Sequence, residues 1–305
     1  MSPSRIAGLA LTIVILASCV DKPDHGPAHI TGSTTSITSG ASWYASPNGS
    51  WGAAGTQTNP WSLDYALSNS NSTLQAGDTV WLLPGTYNAP ASPDGLTYYA
   101  NKAGASGSPI VYREHSSGHA IINARIQNRG SFLTFWGFEL TQTNHDAVHD
   151  TLYGIESYGP GATYINLVIH DANKSGIIIF WPNGDTKVYG CILYNNGNGN
   201  HGGLDHGIYV QNYTGTARIE QNAVFDNLAY GIHAYSGSGD HILHGIQLVD
   251  NVGFNNGTIS TSYPAKGNII VGDEDGGANA ILVEENYMHF SGTDGDNITG
   301  RVSRQ

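Results

Sequence analysis

The sequence predicts an all-β fold: a right-handed parallel β-helix, or solenoid, that begins with a short N-terminal capping helix. Three observations predict it. The chain of 305 residues holds 40 glycines and only 12% charged residues, a poor mixture for helices and a good one for short strands and turns. An asparagine-flanked apolar unit recurs along the chain. A second unit, Gly-Ile followed by two mostly apolar residues, follows the first four copies of the first unit in fixed order.

The asparagine unit reads Asn166-Leu167-Val168-Ile169-His170-Asp171, then Gly190-Cys191-Ile192-Leu193-Tyr194-Asn195. It continues as Asn222-Ala223-Val224-Phe225-Asp226-Asn227, Asn251-Val252-Gly253-Phe254-Asn255-Asn256 and a weaker copy at Asn286–Phe290. Copies are spaced by roughly 24 to 35 residues, the variable spacing of a solenoid that accepts loop insertions. The interleaved units are Gly176-Ile177, Gly207-Ile208, Gly231-Ile232 and Gly267-Asn268-Ile269, with Gly154-Ile155 upstream. Two strand types in fixed order mean coils with several sheets, each coil pairing with its neighbours about 4.8 Å away. Asn195, Asn227 and Asn256, with Asp171 in the first copy, are expected to share one turn position and to bond from coil to coil as a structural ladder.

Residues 43–123 form a start module. Trp43-Tyr44-Ala45-Ser46-Pro47-Asn48-Gly49-Ser50 opens it, Pro60 precedes a short helical stretch at 61–67, and Thr79–Leu83 is a strand stopped by Pro84-Gly85. Ile110-Val111-Tyr112 is a further strand. This order of pieces resembles the N-terminal region of bacterial right-handed β-helix proteins, including polysaccharide lyases of the pectate and alginate lyase type. The resemblance implies the fold. Lyases, hydrolases and other proteins share it, so it implies chemistry only weakly.

Before this module, Arg5 and the apolar run Ile6–Leu16 read as an export signal too short to span a bilayer. Leu16-Ala17-Ser18-Cys19 resembles a bacterial lipobox, which implies cleavage before Cys19, lipidation of Cys19 and anchoring to the cell envelope (the outer membrane in a Gram-negative cell). An ordinary signal peptide with a chance cysteine is the alternative. Residues 1–19 are thus expected as signal and lipobox, 20–41 as a Ser/Thr/Gly-rich tether and 42–305 as the β-helix. With Cys19 lipidated, Cys191 has no disulfide partner and is expected to be a small buried hydrophobe.

Strand alternation places the side chain two residues after each Gly-Ile glycine outward. The expected outward column is Glu156, Ile178, Tyr209, His233 and Ile269, with a second column of Tyr158, Phe180, Gln211, Tyr235 and Val271. Aromatic rings can pack on sugar faces while His, Gln and Glu bond hydroxyls; equally, Tyr and His can stack only to stabilise the sheet. The residues before the glycines, Tyr153, Ser175, His206, Tyr230 and Lys266, are expected to be exposed by a bend, with Tyr230 between His206 and Lys266. A His–Tyr pair can take the proton alpha to a uronate carboxyl group, and a lysine can act as base or carboxylate partner. The expected catalytic set is His206, Tyr209, His233 and Lys266, and the substrate-binding set Glu156, Gln211, Tyr230 and Tyr235. His206 also reads as a turn-stabilising histidine.

Asp273 and Asp275, in the run Asp273-Glu274-Asp275, are the candidate calcium ligands, though such a loop also reads as solvated. The formal net charge of −12 argues against a nucleic-acid partner. The sequence thus points to a monomeric, exported carbohydrate-active protein acting on a polysaccharide. Cleavage of a uronate-containing glycan by β-elimination is the first reading; a glycan-binding or structural envelope lipoprotein and a glycoside hydrolase are the alternatives. No closing segment is evident before Gln305, so either the final loop covers the last core layer or the sequence is part of a longer one.

Overall fold

In a computed structural model the described residues are 40–89, 96–145, 152–180, 184–237, 239, 241–258, 266–274, 277–289 and, for the backbone, 298–300. The expected signal, lipobox cysteine Cys19 and most of the expected tether lie outside them, as does Asp275. The described strands form three parallel sheets of nine, eight and eight strands, and successive strands of one sheet come from successive coils. This is the solenoid that the repeats predict. Helix α1 (Leu63–Leu67) lies where Pro60 announced it and buries Leu63, Ala66 and Leu67; the carbonyl of Ala66 accepts a bond of 3.0 Å from the Tyr112 hydroxyl.

The core is a stack of inward columns. Tyr112, Phe135 and Tyr164 pair coil to coil in the first sheet with rings stacked at 5.4 and 5.6 Å. Ile155, Ile177, Ile208, Ile232 and Ile269 form the inward column of the second sheet, the Gly-Ile sheet. Cys191 is fully buried, and burial pushes its thiol up to about 12, so it is an inert part of this core.

Two asparagine ladders bracket the strands of the third sheet. In one, the Asn196 Nδ2 donates to Asn227 Oδ1, Asn227 Nδ2 to Asn256 Oδ1 and Asn256 Nδ2 to Asn268 Oδ1, at 2.9, 2.9 and 2.8 Å. In the other, Asn222 donates to Asn251 and Asn251 to Asn286, at 2.9 and 2.8 Å. The same amides also donate to carbonyls of the preceding coil, such as Leu193 for Asn227. The rung expected at Asn195 is therefore at Asn196. Asn195 shares its position with Asp171, Asp226 and Asn255, all turning with φ between 52° and 55°. That is the left-handed corner where Asn and Asp are tolerated, and Asn195 there donates to Asp171 across the coils.

The ladder also explains the repeated glycine. A Cβ on Gly176, Gly207 or Gly231 would stand 2.9, 2.9 and 2.6 Å from the Nδ2 of Asn196, Asn227 and Asn256. The two sequence signals are two halves of one contact. In the next coil Asn268, not Gly267, sits in the glycine slot, because Ile269 pairs with Ile232. The register there is one residue off the expected one: the outward residues are Ile270 and Gly272 rather than Ile269 and Val271.

Substitution of a rung should therefore cost far more than substitution of a corner. Asn227→Ala should lower the unfolding free energy by about 3 kcal/mol, since several buried partners lose their bonds. Asn195→Gly should change it by under about 1 kcal/mol. Urea unfolding followed by circular dichroism distinguishes the two.

Candidate functional site

The outer face of the Gly-Ile sheet carries the expected Glu156, Ile178, Tyr209 and His233 in register, with Gln127 preceding them and Ile270, in place of Ile269, following. The residues before the glycines turn onto the same face, because the chain bends at the glycine. His206 and Tyr230 thereby reach the outward column. The rings of Tyr209, Tyr230 and Tyr235 surround that of His233, at 5.1, 5.0 and 5.1 Å between centroids. The His206 ring lies 5.8 Å from Tyr209 and nearly parallel to it.

His206 and His233 meet directly, with His206 Nε2 2.8 Å from His233 Nδ1. The two rings are 1% and 8% exposed as residues, so neither is freely solvated. Burial, the neighbouring imidazole and the charges of Lys266 and Lys174 hold His206 well below the ordinary histidine range. Burial and Lys266 push His233 down to about 3. Both are neutral at physiological pH, and neither has a carboxylate partner among the described residues.

The cations stand at the strand entrances. The Lys266 ammonium lies 5.6 Å from the centre of the Tyr230 ring, and the Lys174 ammonium 4.8 Å from that of Tyr153. Lys266 was expected in register with Tyr230; it stands one residue earlier, because Gly267 takes that place, yet its side chain still reaches the tyrosine ring. Lys174 was not expected at all. It lies before the glycine bend, in a stretch where the repeat carries no signal.

Glu156 is outward but not available. It is 4% exposed and accepts from Arg125 Nη1 at 2.9 Å and Gln127 Nε2 at 2.6 Å. A buried carboxylate held in this way stabilises the sheet and does not bind a sugar hydroxyl. Sequence reasoning missed Arg125 because its coil has no Gly-Ile unit. Asp205, just before His206, is fully buried and accepts from His201 Nδ1 at 2.6 Å.

Between these groups runs a groove of about 160 Å³, lined among others by Tyr153, Ile178, Phe180, Leu204, Tyr209 and Gln211. Its mixture of aromatic walls and a few polar groups suits a small ring-shaped ligand. At the far side the Tyr235 hydroxyl donates to Glu274 at 3.0 Å. The Tyr235 ring lies against Gly272, where a Cβ would come within 2.8 Å of Cε2.

Of the two expected calcium ligands, Asp273 is described and Asp275 lies outside the described residues. Asp273 Oδ2 accepts the Leu243 amide at 2.9 Å, and Glu274 is engaged by Tyr235. Among the described residues no three His, Cys, Asp or Glu side chains converge as metal ligands.

Residues 109–286 match the family described as Right handed beta helix region. The chain belongs to that family. It is similar to Pectate lyase L of Dickeya chrysanthemi, 27% identical over an alignment of 164 positions that covers 48% of this chain and 36% of that protein. Among solved structures it resembles pectate lyase Pel9A, with a TM-score of 0.64, 21% identity and coverage of 78% of this chain and 60% of that one. It also resembles a GH136 lacto-N-biosidase from Eubacterium ramulus, with a TM-score of 0.54 and 15% identity over 81% of this chain and 56% of that one. The chain spans less than two thirds of each. The structural likenesses establish the fold.

Two predictions follow from the charges of this face. Between the ordinary histidine value of 6.5 and about 3, unfolded chain binds protons at His233 that the folded chain refuses. Stability is then full above pH 6.5 and falls as the pH drops toward 3, with a slope of at most about 1.4 kcal/mol per pH unit from each such histidine. His233→Gln should make urea midpoints measured between pH 7.5 and pH 5 less pH-dependent. Separately, Arg125→Leu should destabilise by about 3–5 kcal/mol through the stranded Glu156, and Arg125→Leu with Glu156→Leu should recover most of that loss.

Proposed function

We propose that this protein is a polysaccharide lyase that cleaves a uronate-containing glycan by β-elimination on the outer face of the Gly-Ile sheet. The observation that carries the reading is the charge pattern of that face: Lys174 and Lys266 flank a neutral, aromatic groove, while Glu156 is bound to Arg125 and Asp205 is buried with His201. Two opposed, accessible carboxylates are what hydrolysis of a glycosidic bond requires. Elimination instead needs a cation for the sugar carboxylate and a proton acceptor near the alpha carbon. The likeness to pectate lyase L supports the same choice.

Lys266, whose side chain lies over the Tyr230 ring, is assigned to the sugar carboxylate. Tyr209, in the outward column and on the groove wall, is assigned to the alpha proton, which it takes as the phenolate. The electron pair released forms the double bond, and the bond to the glycosidic oxygen breaks, its electron pair leaving on that oxygen, which takes up a proton from water. Gln211, Tyr230 and Tyr235 border this position and are assigned to sugar binding. The expected lipid anchor at Cys19 would hold the enzyme at the cell envelope, where it would meet such a polymer; metabolic labelling with a fatty-acid analogue, lost in Cys19→Ser, checks that assignment.

Incubation with pectate, alginate and glycosaminoglycans, with and without added Ca²⁺, should yield unsaturated products from one of them, detected by ultraviolet absorbance. Tyr209→Phe should lower kcat by about 100-fold or more with little change in KM. Lys266→Met should mainly raise KM. Glycan binding without turnover on every polymer would instead support a non-catalytic glycan-binding protein.

A further inference from the structure

His206 has no nitrogen left for a ligand. The backbone amide of Tyr230 donates to its Nδ1 at 3.2 Å, and its Nε2 faces His233 Nδ1 at 2.8 Å. An amide N–H can only donate, so Nδ1 of His206 must be an acceptor and carries no proton. The single proton of a neutral His206 is then on Nε2, aimed at His233. That makes Nδ1 of His233 an acceptor too, and leaves the proton of a neutral His233 on Nε2. One backbone amide therefore sets the tautomers of two imidazoles in series. The neutral state on which this depends is the state favoured by burial and by Lys174 and Lys266.

We propose that His206 is a positioning residue that commits His233 to the Nε2–H tautomer, so that the sheet face offers its ligand a hydrogen-bond donor and not a base at this point. The complementary ligand atom is an acceptor oxygen, and with Lys174 and Lys266 on the same face the fitting class is an anionic sugar residue. The identity of the ligand rests on the lyase reading; the tautomer does not. It also removes His233 from the groups able to take the alpha proton, because accepting one there would require His206 to surrender its bond.

Long-range proton–nitrogen NMR on the ligand-free, ¹⁵N-labelled full chain at neutral pH reads each ring directly, with His206→Gln and His233→Gln used for assignment. Both rings should show a protonated Nε2 and an unprotonated, hydrogen-bonded Nδ1. A His233 that carries its proton on Nδ1, or a doubly protonated ring in the pair, overturns the proposal. His206→Phe keeps the shape but removes the donor, and should leave His233 as a mixture of tautomers. His206→Gln, whose amide can donate to His233, should restore the single tautomer. Oligogalacturonate affinity should fall about twofold in His206→Phe, the loss set by an even mixture of tautomers, and recover in His206→Gln. Failure of the unsubstituted protein to bind any uronate oligomer would count against the lyase reading, while the spectrum of the empty protein still decides the tautomer.

Discussion

The contact between each ladder asparagine and the glycine beside it fixes the register on which everything else depends. Parallel strands joined by loops of different lengths have no hairpin to set their pairing. Here the buried amides of Asn196, Asn227 and Asn256 bond from coil to coil, and each fills the space that a side chain on Gly176, Gly207 or Gly231 would need. A slip of one residue would bring a Cβ against an amide and strand several buried polar groups. The Asn–Gly contact therefore holds the inward isoleucines inward and the outward column outward.

That register makes chemistry from repetition. Because residues at equivalent positions stack at coil spacing, a side chain on this face has neighbours of known identity above and below. The face uses this in two opposite ways. Arg125, Gln127 and Glu156 form a closed set in which every charge is answered, and such a set is structural. His206 and His233 form an open set, neutral and, among the described residues, without a carboxylate, between two lysines. An arrangement of that kind gains from an incoming negative charge, which the Glu156 cluster would not.

The fold was legible because its signals are periodic, and periodic signals survive variable loops. The outward positions of Tyr209 and His233 followed from alternation alone. Two single-residue errors show where this stops. Asn195 and Asn196 are both asparagines beside a turn, and nothing in the sequence says which is the rung; the left-handed corner takes the first. Gly267-Asn268 looks like another glycine unit, but Asn268 occupies the glycine slot and itself accepts the Asn256 bond. Pairing across coils was less legible still. Glu156 reads as an exposed ligand until Arg125 is placed one coil away, and Lys174 joins the site only through the bend before Gly176. His206 reads as a candidate catalytic group until both its nitrogens are seen to be committed.

The central claim is that the Tyr209–His233 face is where a uronate chain lies. A crystal structure with a bound oligogalacturonate or oligomannuronate tests it most directly. The account predicts a sugar ring in the groove beside Tyr209, an acceptor oxygen on His233 Nε2 and a carboxylate near Lys266 or Lys174. A saccharide bound on either of the other two sheets, with this groove empty, would contradict it.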